Sequence, residues 1–131
     1  MKTPVLPLGS ETILVVDDEE AVRTVIREIL ESCGYQVLEA NNGHEAMSLY
    51  EKEGEKINLV ITDLLMPMMS GQSLVDLLSF SHLQKRILYI SGYLNEHLLD
   101  VSETAVQQNF IEKPFRAENL ALKVREILDK T

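Results

Sequence analysis

An α/β fold, a five-stranded parallel sheet with helices on both faces, is what this sequence predicts, and three observations predict it. Short, β-branched apolar runs recur along the chain, amphipathic helical stretches separate them, and polar or Gly- and Pro-containing residues mark the junctions. Strands that alternate with helices imply right-handed crossovers, and no other simple architecture buries five such runs. At 131 residues the chain is one domain of ordinary size, long enough to bury a core.

Thr12 to Val16 is almost wholly apolar, the pattern of a strand covered on both faces. After the acidic run Asp17, Asp18, Glu19 and Glu20, the residues Val22, Val25, Ile26, Ile29, Leu30 and Cys33 recur at helical spacing and predict a buried stripe, with Gly34 as the stop. Gln36 to Ala40 reads as a second strand and Asn41 to Gly43 as a turn. Ala46, Leu49 and Tyr50 then form the inner face of a second helix, and the charged stretch Glu51 to Lys56 returns the chain to the sheet. Leu59 to Thr62 is the third strand. Asp63 follows it, then a loop containing Pro67 and Gly71 and a third helix carrying Leu74, Leu77 and Leu78. Arg86 to Ile90 is the fourth strand. Between Asn95 and Gln108 the apolar residues Leu98, Val101 and Ala105 are diluted by polar ones, so a helix there is short. Asn109 to Glu112 gives a fifth strand, and Leu120, Val124, Ile127 and Leu128 a closing amphipathic helix. Residues 1–10, with Pro4, Pro7 and Gly9, read as a linker or remnant, which puts the domain at 11–131.

Composition narrows the function. Hydrophobic residues at 45% and charged residues at 25% fit a globular protein and exclude a low-complexity chain. No apolar run is long enough to span a bilayer and the start lacks a secretory pattern, so a cytoplasmic setting without membrane contact is expected. The net charge of −9 opposes direct binding to nucleic acid. Cys33 stands alone and reads as a buried thiol. His44, His82 and His97 lack metal-ligand spacing and read as surface residues.

In open parallel sheets the functional crevice lies beyond the carboxyl ends of the strands. The first predicted strand ends in Asp17 and Asp18, the third in Asp63, the fourth in Ser91 and Gly92, and the fifth in Lys113 and Pro114. Singly, each has a plain explanation: acids favour a helix N-terminus, Asp63 forms turns, Ser91 with Gly92 starts a loop, and Lys113 is a solvated cation. Together they are harder to dismiss. Three neighbouring carboxylates repel and call for a cation, and hard oxygen ligands suit Mg²⁺. An ionised carboxylate can attack a phosphoryl group once metal and ammonium neutralise the charge on its oxygens, and it needs no general base.

The runs VVDDEE at 15–20, DLLMPMMSG at 63–71, ISGY at 90–93 and EKPF at 112–115 make the chain resemble the receiver domain of bacterial response regulators. The resemblance runs from about Glu11 to the C-terminus. It implies the flavodoxin-like (βα)5 fold with strand order 2-1-3-4-5. By the same resemblance Asp63 accepts the phosphoryl group; Asp18 and Asp63 bind Mg²⁺ directly, Asp17 through water, and the Leu65 carbonyl completes the protein ligands. Ser91 and Lys113 would contact the phosphoryl oxygens, with Gly92 giving room. Ser91 and Phe110 would form the switch that remodels the face of the fourth and fifth helices, although Phe110 reads equally well as a core residue. Tyr93 and Leu65 would flank the site, and Met66, Met68 and Met69 pack the loop.

The runs ILYISGY, KPF and KVREIL are most similar to receivers at the C-terminal end of hybrid histidine kinases, with a stand-alone regulator as the alternative. The implied partner is a histidine kinase or histidine phosphotransfer protein, with the domain a monomer or weak dimer and no enzyme beyond its own phosphorylation and slow dephosphorylation. The chain closes at Thr131, so output is expected to pass through a protein partner. A flavodoxin-like flavin binder would need a phosphate-cradling loop where DDEE stands, and an aspartate phosphatase would want an acid where Leu65 stands. The Lys113–Pro114 bond is expected to be cis.

Overall fold

Thr12–Val16 forms strand β1, and four of its five residues are fully buried, as a strand covered on both faces must be. The structure, a computed structural model, describes residues 7–63, 86–91, 110–112 and 114–129; the side chains of Asp63, Ser91 and Phe110 lie outside the description. The other strands are β2 (Gln36–Ala40), β3 (Ile57–Asp63), β4 (Ile87–Ser91) and β5 (Phe110–Glu112). All pair in parallel, in the expected order β2-β1-β3-β4-β5. The described helices are α1 (Glu20–Ser32), α2 (Gly43–Glu53) and α3 (Ala117–Asp129), the last being the closing helix of the sequence. The predicted third and fourth helices lie outside the described residues.

Alternation along the strands divides the core in two. Ile13, Val15, Leu59, Ile61, Leu88 and Ile90 face α1 and α3, meeting Ile26 and Leu30 of the first and Val124 and Ile127 of the second. Leu14, Val16, Val60, Ile87 and Tyr89 face the opposite way, against Ala46 of α2. Helices therefore cover both faces of the sheet.

Three local features depart from the sequence reading. β3 begins at Ile57 rather than Leu59, because Asn58 is an extra residue in the ladder: Thr12 pairs with Ile57 and Ile13 with Leu59. The Asn58 Oδ1 accepts the Thr12 N–H at 3.0 Å, so a side chain fills the place of a ladder carbonyl. β4 is shifted by one residue, to Ile87–Ser91. Val25, expected in the buried stripe of α1, is instead 51% exposed. It lies one residue, about 100°, from Ile26 around the helix and so falls off the stripe that Ile26, Leu30 and Cys33 bury.

Helix ends follow known capping chemistry. Asn42 caps α2, its side chain accepting the Glu45 N–H at 2.9 Å, while the Glu45 carboxylate accepts the Asn41 N–H. At the end of α1 the Gly34 N–H donates to the Glu31 carbonyl and the Tyr35 N–H to the Leu30 carbonyl, a Schellman pair. Gly34 sits at φ +101°, and a Cβ there would lie 2.4 Å from the Gly9 carbonyl oxygen, so conformation and space both require glycine. Gly9 in turn donates to the Cys33 carbonyl at 3.0 Å.

Candidate functional site

Parallel pairing brings the predicted residues to one edge of the sheet. Val16 stands opposite Thr62, so Asp17 and Asp63 follow at the same level. Asp63 stands opposite Ile90, which puts Ser91 one residue beyond, and Ser91 stands opposite Glu112. The chain thus assembles Asp17, Asp18, Asp63 and Ser91 at the carboxyl ends of β1, β3 and β4. For Asp63 and Ser91 this is a statement of backbone register.

The turn after β1 carries the described side chains of the site. Asp17 is 1% exposed. Its N–H donates to the Ala40 carbonyl, prolonging the β1–β2 ladder by one bond, and its Oδ1 accepts the Glu19 N–H at 2.8 Å. That bond folds the backbone into the start of α1, whose cap residue Glu19 makes no side-chain cap of its own. Asp18 and Glu19 are exposed. Carboxylate oxygens of Asp17, Asp18 and Glu19 lie within 4.8 Å of one another. Hard oxygen donors gathered in this way suit a divalent cation such as Mg²⁺, which would draw them closer than their present spacing. Glu19 is the member that sequence reasoning missed; as part of an acidic run before a helix it was indistinguishable from a dipole-stabilising residue.

A second missed residue is Arg23. Its Nη1 donates to the Asp17 carbonyl oxygen at 2.6 Å and to the Asn41 Oδ1 at 3.3 Å, and its Nε donates to the Glu39 Oε1 at 3.2 Å. Arg27, one turn along α1, reaches the other Glu39 oxygen at 2.5 Å. Glu39 of β2 therefore ties two arginines of α1 to the edge strand, and the first of them also holds the acidic turn.

Leu65, Gly92 and Lys113 lie outside the described residues, as do Tyr93, the methionines 66, 68 and 69, His82 and His97. The Lys113–Pro114 bond is outside with Lys113. Phe110 opens β5 opposite Tyr89. His44 is exposed and Cys33 is a buried free thiol, both as expected. Displaced Val25 lines an apolar groove of about 500 Å³ with Ala21, Val22, Pro114 and Phe115, beside the acidic turn. No described helix is long and apolar enough to cross a membrane.

Comparison with known proteins agrees with this geometry. The family model of the response regulator receiver domain matches residues 13–125. The chain is 36% identical over 122 residues to the sensor kinase CckA of Brucella abortus, covering 93% of this chain and 13% of that protein. It is 26% identical to the response regulator SaeR of Staphylococcus aureus, covering 90% of this chain and 50% of the relative. The solved receiver domain of the hybrid histidine kinase CckA superposes with a TM-score of 0.71 at 34% identity, covering 90% of this chain and 99% of that one. The chain thus spans half or less of these two full-length relatives.

Proposed function

The chain belongs to the response regulator receiver domain family of two-component systems, and from that membership we propose that it is a phosphoacceptor module working on Asp63. The observation that carries the reading is the register that sets Asp63 at the level of the acidic turn, Asp17 to Glu19. A carboxylate oxygen of Asp63 bonds to the phosphorus of a phosphohistidine as the P–N bond breaks. The electron pair stays on the imidazole nitrogen, which takes a proton from water. Asp63, being ionised, has no proton to lose. Water later cleaves the acyl phosphate, returning the carboxylate and inorganic phosphate.

Asp18, Asp63 and the Leu65 carbonyl would hold Mg²⁺, with Asp17 acting through water. The burial of Asp17 and its bond to the Glu19 N–H favour that indirect role. The bound ion would supply positive charge at the phosphoryl oxygens. In this reading Lys113 and Ser91 contact those oxygens, Gly92 lets the backbone approach, and Ser91 with Phe110 relays occupancy to the partner face. The domain acts on no other substrate, resides in the cytoplasm, meets a histidine kinase or histidine phosphotransfer protein, and is a monomer or weak dimer. Similarity to CckA favours a hybrid-kinase setting.

Incubation of wild type and Asp63→Asn with acetyl phosphate and Mg²⁺, followed by intact-mass measurement, tests the reading. Wild type should gain one phosphoryl group and the variant none; equal labelling overturns the assignment. The phosphorylated domain should then lose its group rapidly to a histidine phosphotransfer protein and leave duplex DNA unbound at physiological salt.

A further inference from the structure

We propose that Arg23 is a positioning residue for the divalent-cation site, acting through the backbone of Asp17 rather than through its charge; the inference rests on the reading of the acidic turn given above. Three of its contacts converge on this. The 2.6 Å bond from Nη1 fixes the Asp17 carbonyl, and so fixes the plane of the peptide leading into Asp18. The Nε bond to Glu39 and the second Nη1 contact to Asn41 anchor the guanidinium to β2 and to the turn before α2. At 14% side-chain exposure, Arg23 is held on several sides, so the carbonyl it grips has little freedom. Glu39 at 3.2 Å offsets part of the Arg23 charge, its carboxylate being shared with Arg27 at 2.5 Å.

This assignment separates from a purely electrostatic one by substitution. Lysine keeps the charge but cannot present the planar fork that reaches Asp17, Glu39 and Asn41 together. Glutamine removes the charge. If Arg23 acted by charge, Arg23→Lys would bind Mg²⁺ like wild type and Arg23→Gln more tightly, since a cation near the site would be gone. If it acts by position, both variants bind Mg²⁺ more weakly, about tenfold, the range in which outer partners of metal ligands operate.

The experiment is a Mg²⁺ titration of wild type, Arg23→Lys, Arg23→Gln and Glu39→Gln followed by the amide resonances of residues 17–19, together with hydrogen exchange of the Glu19 amide in metal-free protein. We expect both Arg23 variants to show about tenfold weaker Mg²⁺ binding and faster Glu19 exchange. Glu39→Gln, which leaves the Asp17 contact in place, should lose about threefold, a smaller fraction of that effect. Wild-type affinity in Arg23→Lys with unaltered Glu19 exchange overturns the inference, as does tighter binding in Arg23→Gln. Wild-type protein that does not bind Mg²⁺ would instead sink the cation-site reading, and the exchange of the Glu19 amide would still decide whether Arg23 orders the turn. Should the Arg23 variants fail to fold, the Glu19 amide exchange in Glu39→Gln decides alone: unchanged exchange overturns the proposal.

Discussion

The two ends of the sheet treat their charges in opposite ways. At the amino end a single guanidinium closes the account: Arg125 of α3 holds both oxygens of Glu11 at 3.1 and 2.7 Å, takes Asp129 at 2.8 Å, and reaches the Tyr35 hydroxyl and the Leu8 carbonyl. The grip holds the Glu11 carboxyl below the usual glutamate range and raises the affinity of Arg125 for its proton, while burial pushes the Tyr35 phenol up. At the carboxyl end the chain gathers Asp17, Asp18 and Glu19 within 4.8 Å instead. Opposite charges placed together are what a fold uses to hold itself. Like charges placed together cost stability, a cost that a bound cation would offset.

That contrast can be broken by substitution. The largest effect is expected at Gly34, where an alanine would carry an unfavourable φ and drive its Cβ against the Gly9 carbonyl; Gly34→Ala should lower unfolding free energy by about 2–3 kcal/mol in denaturant titration. Arg125→Ala follows, at about 2 kcal/mol, because it leaves Glu11, Asp129 and the nearly buried Tyr35 hydroxyl short of a donor.

Glu11→Gln should cost about 1 kcal/mol at neutral pH, since one charged, two-point contact becomes a neutral one. Its pH dependence has a defined sign. A carboxyl depressed in the folded state stabilises fully above the ordinary glutamate value of 4.5, and the contribution disappears as pH falls through the lower folded value. The stability gap between wild type and Glu11→Gln should therefore be constant at neutral pH and close in acid, as followed by denaturant midpoints. The smallest stability effect, and of reversed sign, is expected at the other end: Asp18→Asn should raise the thermal midpoint by about 2 °C in metal-free protein by relieving repulsion. The same variant should weaken Mg²⁺ binding. A fall in the midpoint would erase the distinction between the two ends.

Much of this arrangement is legible in the sequence because it is written in local pattern. Strands β1 and β2 have the predicted bounds, and the residues picked out as chemical stand just after β1 and at the ends of β3 and β4. What escaped is non-local or works through the backbone. Asn58 looks like a polar interruption and acts as a stand-in for a ladder carbonyl. Val25 has the right composition for the core and the wrong angle. Arg125 finds Glu11 across 114 positions, and Arg23 serves the acidic turn through a carbonyl that no side-chain pattern records.

Gly9, hydrogen-bonded to Cys33, and Leu8, hydrogen-bonded to Arg125, set where the polypeptide enters the domain. Because Arg125 also binds Asp129 at the far end of α3, entry and exit meet at one corner, on the side of the sheet remote from Asp17 and Asp63. The two described ends of the chain are held at the back of the domain. The acidic turn therefore lies at the opposite end of the sheet from the described ends of the chain.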